Sequence, residues 1–264
     1  MGARWPRDCI QARDMGWRRL FRWVMWLLCL SCVVLLAASE CAYRALLSRV
    51  PGRPRPVEGV SLPPLYSRMR WTLLEGTTTP EVAPVWLGTF VQQWASVVLL
   101  RRHPTDVPRE GLGLADNVAR QWSFRQEEAG GPRVKPFERF AVSIWLTRNW
   151  SAEDLLAFDA EHTYLGSELF GMRAGARVLL GREWTQVDVA GMALLLAVNG
   201  APGGRQDPWC LPDRMLTRRD GVLRRLRDAG SLTPKELEAA LAAPLGLSTR
   251  PVDWPPCRAP GARR

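Results

Sequence analysis

Residues 23–39, WVMWLLCLSCVVLLAAS, run for 17 residues without a charge. A helix of that length is at the short limit of what crosses the ~30 Å hydrocarbon core of a bilayer. Ahead of it stand Arg4, Arg7, Arg13, Arg18, Arg19 and Arg22, opposed only by Asp8 and Asp14. Basic residues beside a span stay in the cytoplasm. The expected arrangement is therefore a single-pass protein, with a cytoplasmic segment at 1–22, a transmembrane helix at 23–39 and everything after it outside. Trp17, Trp23 and Trp26 fall where amphipathic rings favour the inner interface. A cleaved signal peptide is the rival reading. Ala37, Ala38 and Ser39 keep it open, although the run is long for a signal's apolar region.

Charge narrows the partners. The net charge is +10, and arginine carries nearly all of it, since Lys135 and Lys235 are the only lysines. Such a surplus fits a polyanion, a phosphate-bearing ligand or an anionic membrane surface. With 47% hydrophobic and 23% charged residues, wholesale disorder is excluded. Two histidines, His103 and His162, are too few for a histidine-rich metal site. Cys29 and Cys32 lie in the span and Cys41 just beyond it. Cys210 and Cys257 fall in the exported part, where the space is oxidising, and the sequence leaves open whether they pair or stay as thiols.

Beyond the span, residues 40–61 end in the proline-rich stretch PGRPRPVEGV and are expected to be a linker. Helices are expected over 85–100, 136–149, 151–163, 168–180, 185–198, 213–229 and 234–242. Ser151 with Asp154, and Thr233 followed by Pro234, read as helix starts. Little of the chain alternates with period two, so the fold is expected to be mainly α. Residues 247–264, rich in proline and arginine, are expected to be a disordered tail. Trp86, Phe90 and Trp94 share one helical face, read as core, with lipid contact as the alternative.

The stretch 164–246 carries a resemblance. YLG is followed by FG, then by an Ala-rich helix ending in Gly181, a LLLA…AP…DP helix-turn, RRDGVL, a G-x-LT turn and a closing A-x-PLGL. In this order the pieces resemble the C-terminal half of the family 51 glycosyltransferase domain, the peptidoglycan glycosyltransferase of penicillin-binding proteins and monofunctional transglycosylases. Upstream, RVKPFERF (133–140) resembles the family's RKxxE motif, and GLGLADNVARQW (111–122) sits where the family has its polar GGSTITQQLA loop. LPPLYSRMRWTLLEG (62–76) sits at the position of its first motif. The resemblance spans about 62–246 and implies a lysozyme-like, mainly α domain behind one N-terminal transmembrane helix. It departs from the family where Gly76, Thr79, Val82 and Pro84 replace the residues after the motif glutamate. It also departs where Ala157, Asp159 and Glu161 replace those of ExYLN.

The resemblance implies a reaction. Family members polymerise lipid II, an undecaprenyl-diphosphate glycan, at the bacterial inner membrane with the domain outside the cytoplasm. A carboxylate takes the proton of the attacking sugar hydroxyl, and cations stabilise the departing diphosphate. Glu75 then stands at the base and Glu138 at the second carboxylate, with a divalent cation (Mg or Mn) as the implied cofactor. Lys135, Arg133, Arg218 and Arg219 stand at the diphosphate. Asp159 and Glu161 are read as a solvated helix face, with joint metal binding as the alternative. The degenerate motifs leave a second role open, that of a catalytically impaired member binding lipid II or a cell-wall synthase as scaffold or regulator. Nucleic acid is not an expected partner. Without SxxK or KTG, no transpeptidase is expected.

Overall fold

The computed structural model describes residues 8–86, 110–199 and 207–257. It divides into two units, residues 1–48 and 49–264. The first holds α1 (Asp8–Ser48), longer at both ends than the charge-free run. Its segment Phe21–Ser48, 28 residues, is long and apolar enough to cross a membrane, and its most apolar 18-residue window is unburied. At about 1.5 Å per residue it spans roughly 42 Å, enough for the hydrocarbon and part of both interfaces. The helix therefore takes up the first residues of the expected linker, whose irregular part begins only after Ser48. A second charge-free stretch, 82–100, lies outside the described residues from 87 on, so the single-pass expectation rests on α1 alone. The helix expected over 85–100, with Phe90 and Trp94, falls there too. Trp86 is described and exposed, with the Arg148 guanidinium 4.1 Å from its ring centre.

The second unit is mainly α, and no strand occurs among its described residues beyond a single antiparallel bridge between Tyr164 and Phe170. Its helices are α2 (Pro64–Glu75), α3 (Leu112–Glu128), α4 (Pro136–Asn149), α5 (Ala152–His162), α6 (Met172–Leu180), α7 (Val189–Asn199), α8 (Pro212–Asp228) and α9 (Pro234–Ala242). Local chemistry sets several boundaries. Ser151 Oγ accepts from Asp154 N–H while the Asp154 carboxylate accepts from Ser151 N–H. Thr233 and Glu236 make the same reciprocal pair, with Pro234 in the first helical position. Gly76 ends α2 in the left-handed region at φ 78°, and its N–H reaches Thr72 O.

α7 is the centre. Ala190 through Val198 are all buried, as expected of a helix apolar on every side. Around it pack α2, α6, α8 and α9, while α3, α4 and α5 form a second group. α2 belongs to both, touching α3 and α5 on one side and α7 and α8 on the other. The helices expected over 136–149 and 234–242 and both capping pairs appear where the residue pattern placed them; those expected from 168 and 185 begin only at Met172 and Val189, and α2 and α3 are not among the expected helices.

Residues 247–257 are not the expected disordered tail. Ser248 N–H donates to Leu179 O at the end of α6, and its carbonyl accepts from Trp209 Nε1 at 2.8 Å. Trp254 Nε1 donates to Asp207 Oδ2, its ring meets Trp209 edge-on at 4.9 Å, and Cys257 is disulfide-bonded to Cys210. Two indoles and a disulfide hold a segment whose proline content had suggested disorder. Closing a loop of 47 residues removes unfolded-state entropy worth up to about 4 kcal/mol. A reductant is expected to lower the melting temperature of the wild-type chain, and Cys210→Ala/Cys257→Ala to be low already and insensitive to it.

Candidate functional site

Asp159 on α5 is a carboxylate with no exposed surface. Arg70 of α2 meets it in a two-toothed contact, Nε to Oδ2 at 2.7 Å and Nη2 to Oδ1 at 2.8 Å. Tyr66, one turn earlier on α2, donates its hydroxyl to Oδ2 at 2.5 Å. From α3, Asn117 and Gln121 donate their amides to Oδ1 at 2.5 and 2.8 Å. Burial works against the charge on Asp159, but the Arg70 guanidinium and the donors outweigh it and hold the carboxyl below the ordinary aspartate range. The same burial, with the Asp159 charge beside it, pushes the Tyr66 hydroxyl well above its usual value. Asp159 is thus not on a solvated face. The sequence shows it as one of several acidic residues on α5; the partner on α2 is 89 residues away.

Above this pair opens a cleft of about 770 Å³ between α2, α3, α8 and the ends of α5 and α7. Its apolar lining is Leu73, Leu74, Phe124, Phe170, Leu196 and Val222. Arg120 and Arg125 from α3 and Arg218 and Arg225 from α8 stand among them, with Phe124 and Val222 on the same two helices. His162 lies at the end of α5, stacked on Phe158 at 4.0 Å. The YLG…FG motif shapes this rim. Leu165 N–H donates to Leu169 O and Gly171 N–H to Thr163 O, and Gly166 and Gly171 take φ of 94° and 85°. The loop thereby brings the Tyr164 and Phe170 rings within 5.0 Å, and both line the cleft.

The expected site residues divide. Arg218 lines the cleft. Arg219, its neighbour, does not; it has no exposed surface and donates to the carbonyls of Leu241, Ala243 and Pro244 and to Asp220. A guanidinium there binds the orphan carbonyls at the end of α9. Glu75 is buried at the end of α2, where its carboxylate accepts from Gly111 N–H at 3.0 Å and Leu114 N–H at 2.5 Å. It caps the start of α3 from another helix, which Gly111, in the left-handed region, cannot do with a side chain. Glu138 is buried in the first turn of α4 and accepts from Lys135 N–H at 2.9 Å. Lys135 and Arg133 are exposed on the segment before it. None of Glu75, Glu138, Lys135 and Arg133 is among the cleft-lining residues, so the structure does not bring the two glutamates together there.

Nor do the residues present fit the expected divalent cation. Glu138 is occupied by a backbone donor and Asp159 by a guanidinium, and the cleft wall is arginine. Among the described residues no three histidine, cysteine or carboxylate side chains gather to hold a metal.

The chain is similar to penicillin-binding protein 1A of Aquifex aeolicus, 32% identical over 135 residues, 51% of this chain and 18% of that one. It is similar to penicillin-binding protein 1A of Pseudomonas aeruginosa, 24% identical over 150 residues, 57% of this chain and 18% of the relative. Penicillin-binding protein 1F of Bacillus subtilis is 29% identical over 109 residues, 41% and 15% of the two chains. The matched region spans less than a fifth of the length of each relative. Among solved structures, penicillin-binding protein 1A from Haemophilus influenzae is 26% identical with a TM-score of 0.35, covering 37% of this chain and 14% of that one. No protein-family model matches the chain.

The buried pair makes two predictions. Removing one partner, by Arg70→Ala or Asp159→Ala, is expected to cost about 3–5 kcal/mol in denaturant unfolding, and the joint change Arg70→Met/Asp159→Leu less than either. Because the folded pKa of Asp159 lies below its unfolded value of about 3.9, its contribution is complete above that pH and lost as pH falls through the folded value. Acid unfolding below about pH 4 is therefore expected to show a step in the wild type that Asp159→Asn lacks.

Proposed function

We propose that this chain is a membrane-anchored protein of bacterial peptidoglycan synthesis whose cleft binds lipid II or the growing lipid-linked glycan. We further propose that it acts there as a scaffold or regulator of a cell-wall synthase rather than as the polymerase. The observation that carries the reading is the composition of the cleft: four arginines stand among apolar side chains, above a carboxylate already bound by Arg70. A diphosphate with a polyprenyl chain presents this pairing of charge and grease, and arginine suits its oxygens. The similarity to penicillin-binding proteins over about half the chain supports the setting. The apolar helix α1, with basic residues before it, supports attachment to the inner membrane with the domain outside the cytoplasm.

Catalysis needs a carboxylate free to take a proton from the acceptor hydroxyl. Glu75 is the residue at the matched position, and its two oxygens already accept from the start of α3. Glu138 is used in the same manner on α4. Glu75→Gln is accordingly expected to act on stability, by about 1–3 kcal/mol, rather than on chemistry.

The purified full chain in detergent is expected to bind lipid II and to form no glycan polymer. Arg218→Ala/Arg225→Ala is expected to weaken binding at least about tenfold and to flatten its dependence on salt. Polymer formed by the wild type and abolished by Glu75→Gln would restore the polymerase reading. Absence of binding at low salt would remove the cleft as a ligand site.

A further inference from the structure

The cleft wall is rich in donors. Its arginines offer only N–H groups, and the Asn117 amide is given to Asp159. Acceptors stand among them too, on Asn117, Gln121, His162, Tyr164 and Asn199. Gln121 donates Nε2 to Asp159, and its Oε1 is buried without a hydrogen-bond partner among the described residues. His162 Nδ1 lies 2.9 Å from the Phe158 carbonyl. A carbonyl only accepts, so Nδ1 carries the proton. Burial, with the charge of Arg125 across from it on α3, draws the ring below the ordinary histidine range, although Glu161 and Asp159 on its own helix pull the other way. The ring is thus neutral at pH 7, and Nε2, on the side away from that carbonyl, keeps its lone pair. Stacking on Phe158, with the planes 18° apart, fixes its direction.

A bare lipid diphosphate brings acceptor oxygens for the arginines and no donor for His162. A sugar brings hydroxyls and, where it is acylated on nitrogen, amide N–H groups. We propose that His162 reads the sugar of a glycosylated polyprenyl diphosphate, accepting a hydrogen bond at Nε2 while arginines of α3 and α8 hold the diphosphate. This rests on the reading of the cleft as a lipid-diphosphate site. It adds a reason for the cleft to prefer the glycan-bearing lipid over the spent carrier. A site with an acceptor placed for a hydroxyl or amide donor discriminates against the analogue that lacks it, because that acceptor then stays unpaired.

The test compares binding of lipid II and of undecaprenyl diphosphate to the full chain in detergent at pH 7.5. The wild type is expected to favour lipid II by about tenfold, the worth of one neutral hydrogen bond. His162→Phe keeps the stacking surface and removes the acceptor. It is expected to lose most of that preference while its affinity for undecaprenyl diphosphate stays within about twofold. His162→Gln returns an acceptor and is expected to restore part of the preference. If His162→Phe does not fold, His162→Asn, whose amide stops short of the Nε2 position, is read by the same criterion. Equal binding of the two lipids by the wild type, or an undiminished preference in the histidine variants, overturns this proposal alone. Failure of the wild type to bind either lipid overturns the underlying reading of the cleft.

Discussion

The fork between Arg70 and Asp159 is the contact on which the arrangement of the domain depends. Asp159 without its donors would be an isolated charge in the interior, which no packing of leucines could offset. Its partners come from two other helices. α2 supplies Arg70 and Tyr66, α3 supplies Asn117 and Gln121, and α5 carries the carboxylate itself. Satisfying it fixes the relative positions of those three helices. The cleft floor is set by the same geometry, since Arg70, Asn117 and Gln121 both serve the carboxylate and line the cleft. The stability of the core and the shape of the site are therefore one problem.

The main features of the fold were legible in the residues. The helices at 136–149 and 234–242 stand at their expected bounds because their start signals are local, a proline in the first helical position and an acidic residue two positions after it. The mainly α class followed from the absence of period-two alternation. What could not be read was any role that depends on a distant partner. Glu75 and Glu138 stand at positions where the family resemblance puts chemistry, and both are helix caps. A carboxylate beside a helix start gives the same letter in the sequence whether it takes a proton or binds backbone N–H groups. Arg218 and Arg219 make the point within two residues. Successive helical positions lie about 100° apart, so one faces the cleft and the other is sealed beneath α9. Asp159 was hidden for a related reason. On α5 it is one acid among four, and only Arg70 on another helix distinguishes it.

The charge of the chain also reads differently once it is placed in space. Part of the arginine surplus stands ahead of the charge-free run of α1 and bears on orientation in a membrane. Another part is consumed internally, as in Arg70 and Arg219. Four more, Arg120, Arg125, Arg218 and Arg225, line the cleft among apolar side chains that lower the local dielectric and strengthen each interaction with an anion. A patch of this kind needs few residues. The carboxylate-and-metal chemistry implied by the family pattern asks for a cluster of acids, and this lining is basic.

The disulfide between Cys210 and Cys257 has a topological consequence. The covalent ring it closes contains the whole of α8 and α9, and with them Arg218 and Arg225 on the cleft wall. A single cut by a protease anywhere between those cysteines would open the ring without separating the pieces. The arginine-bearing wall would stay tethered to the domain, and a nicked molecule would pass for an intact one until a reducing agent let the fragment go.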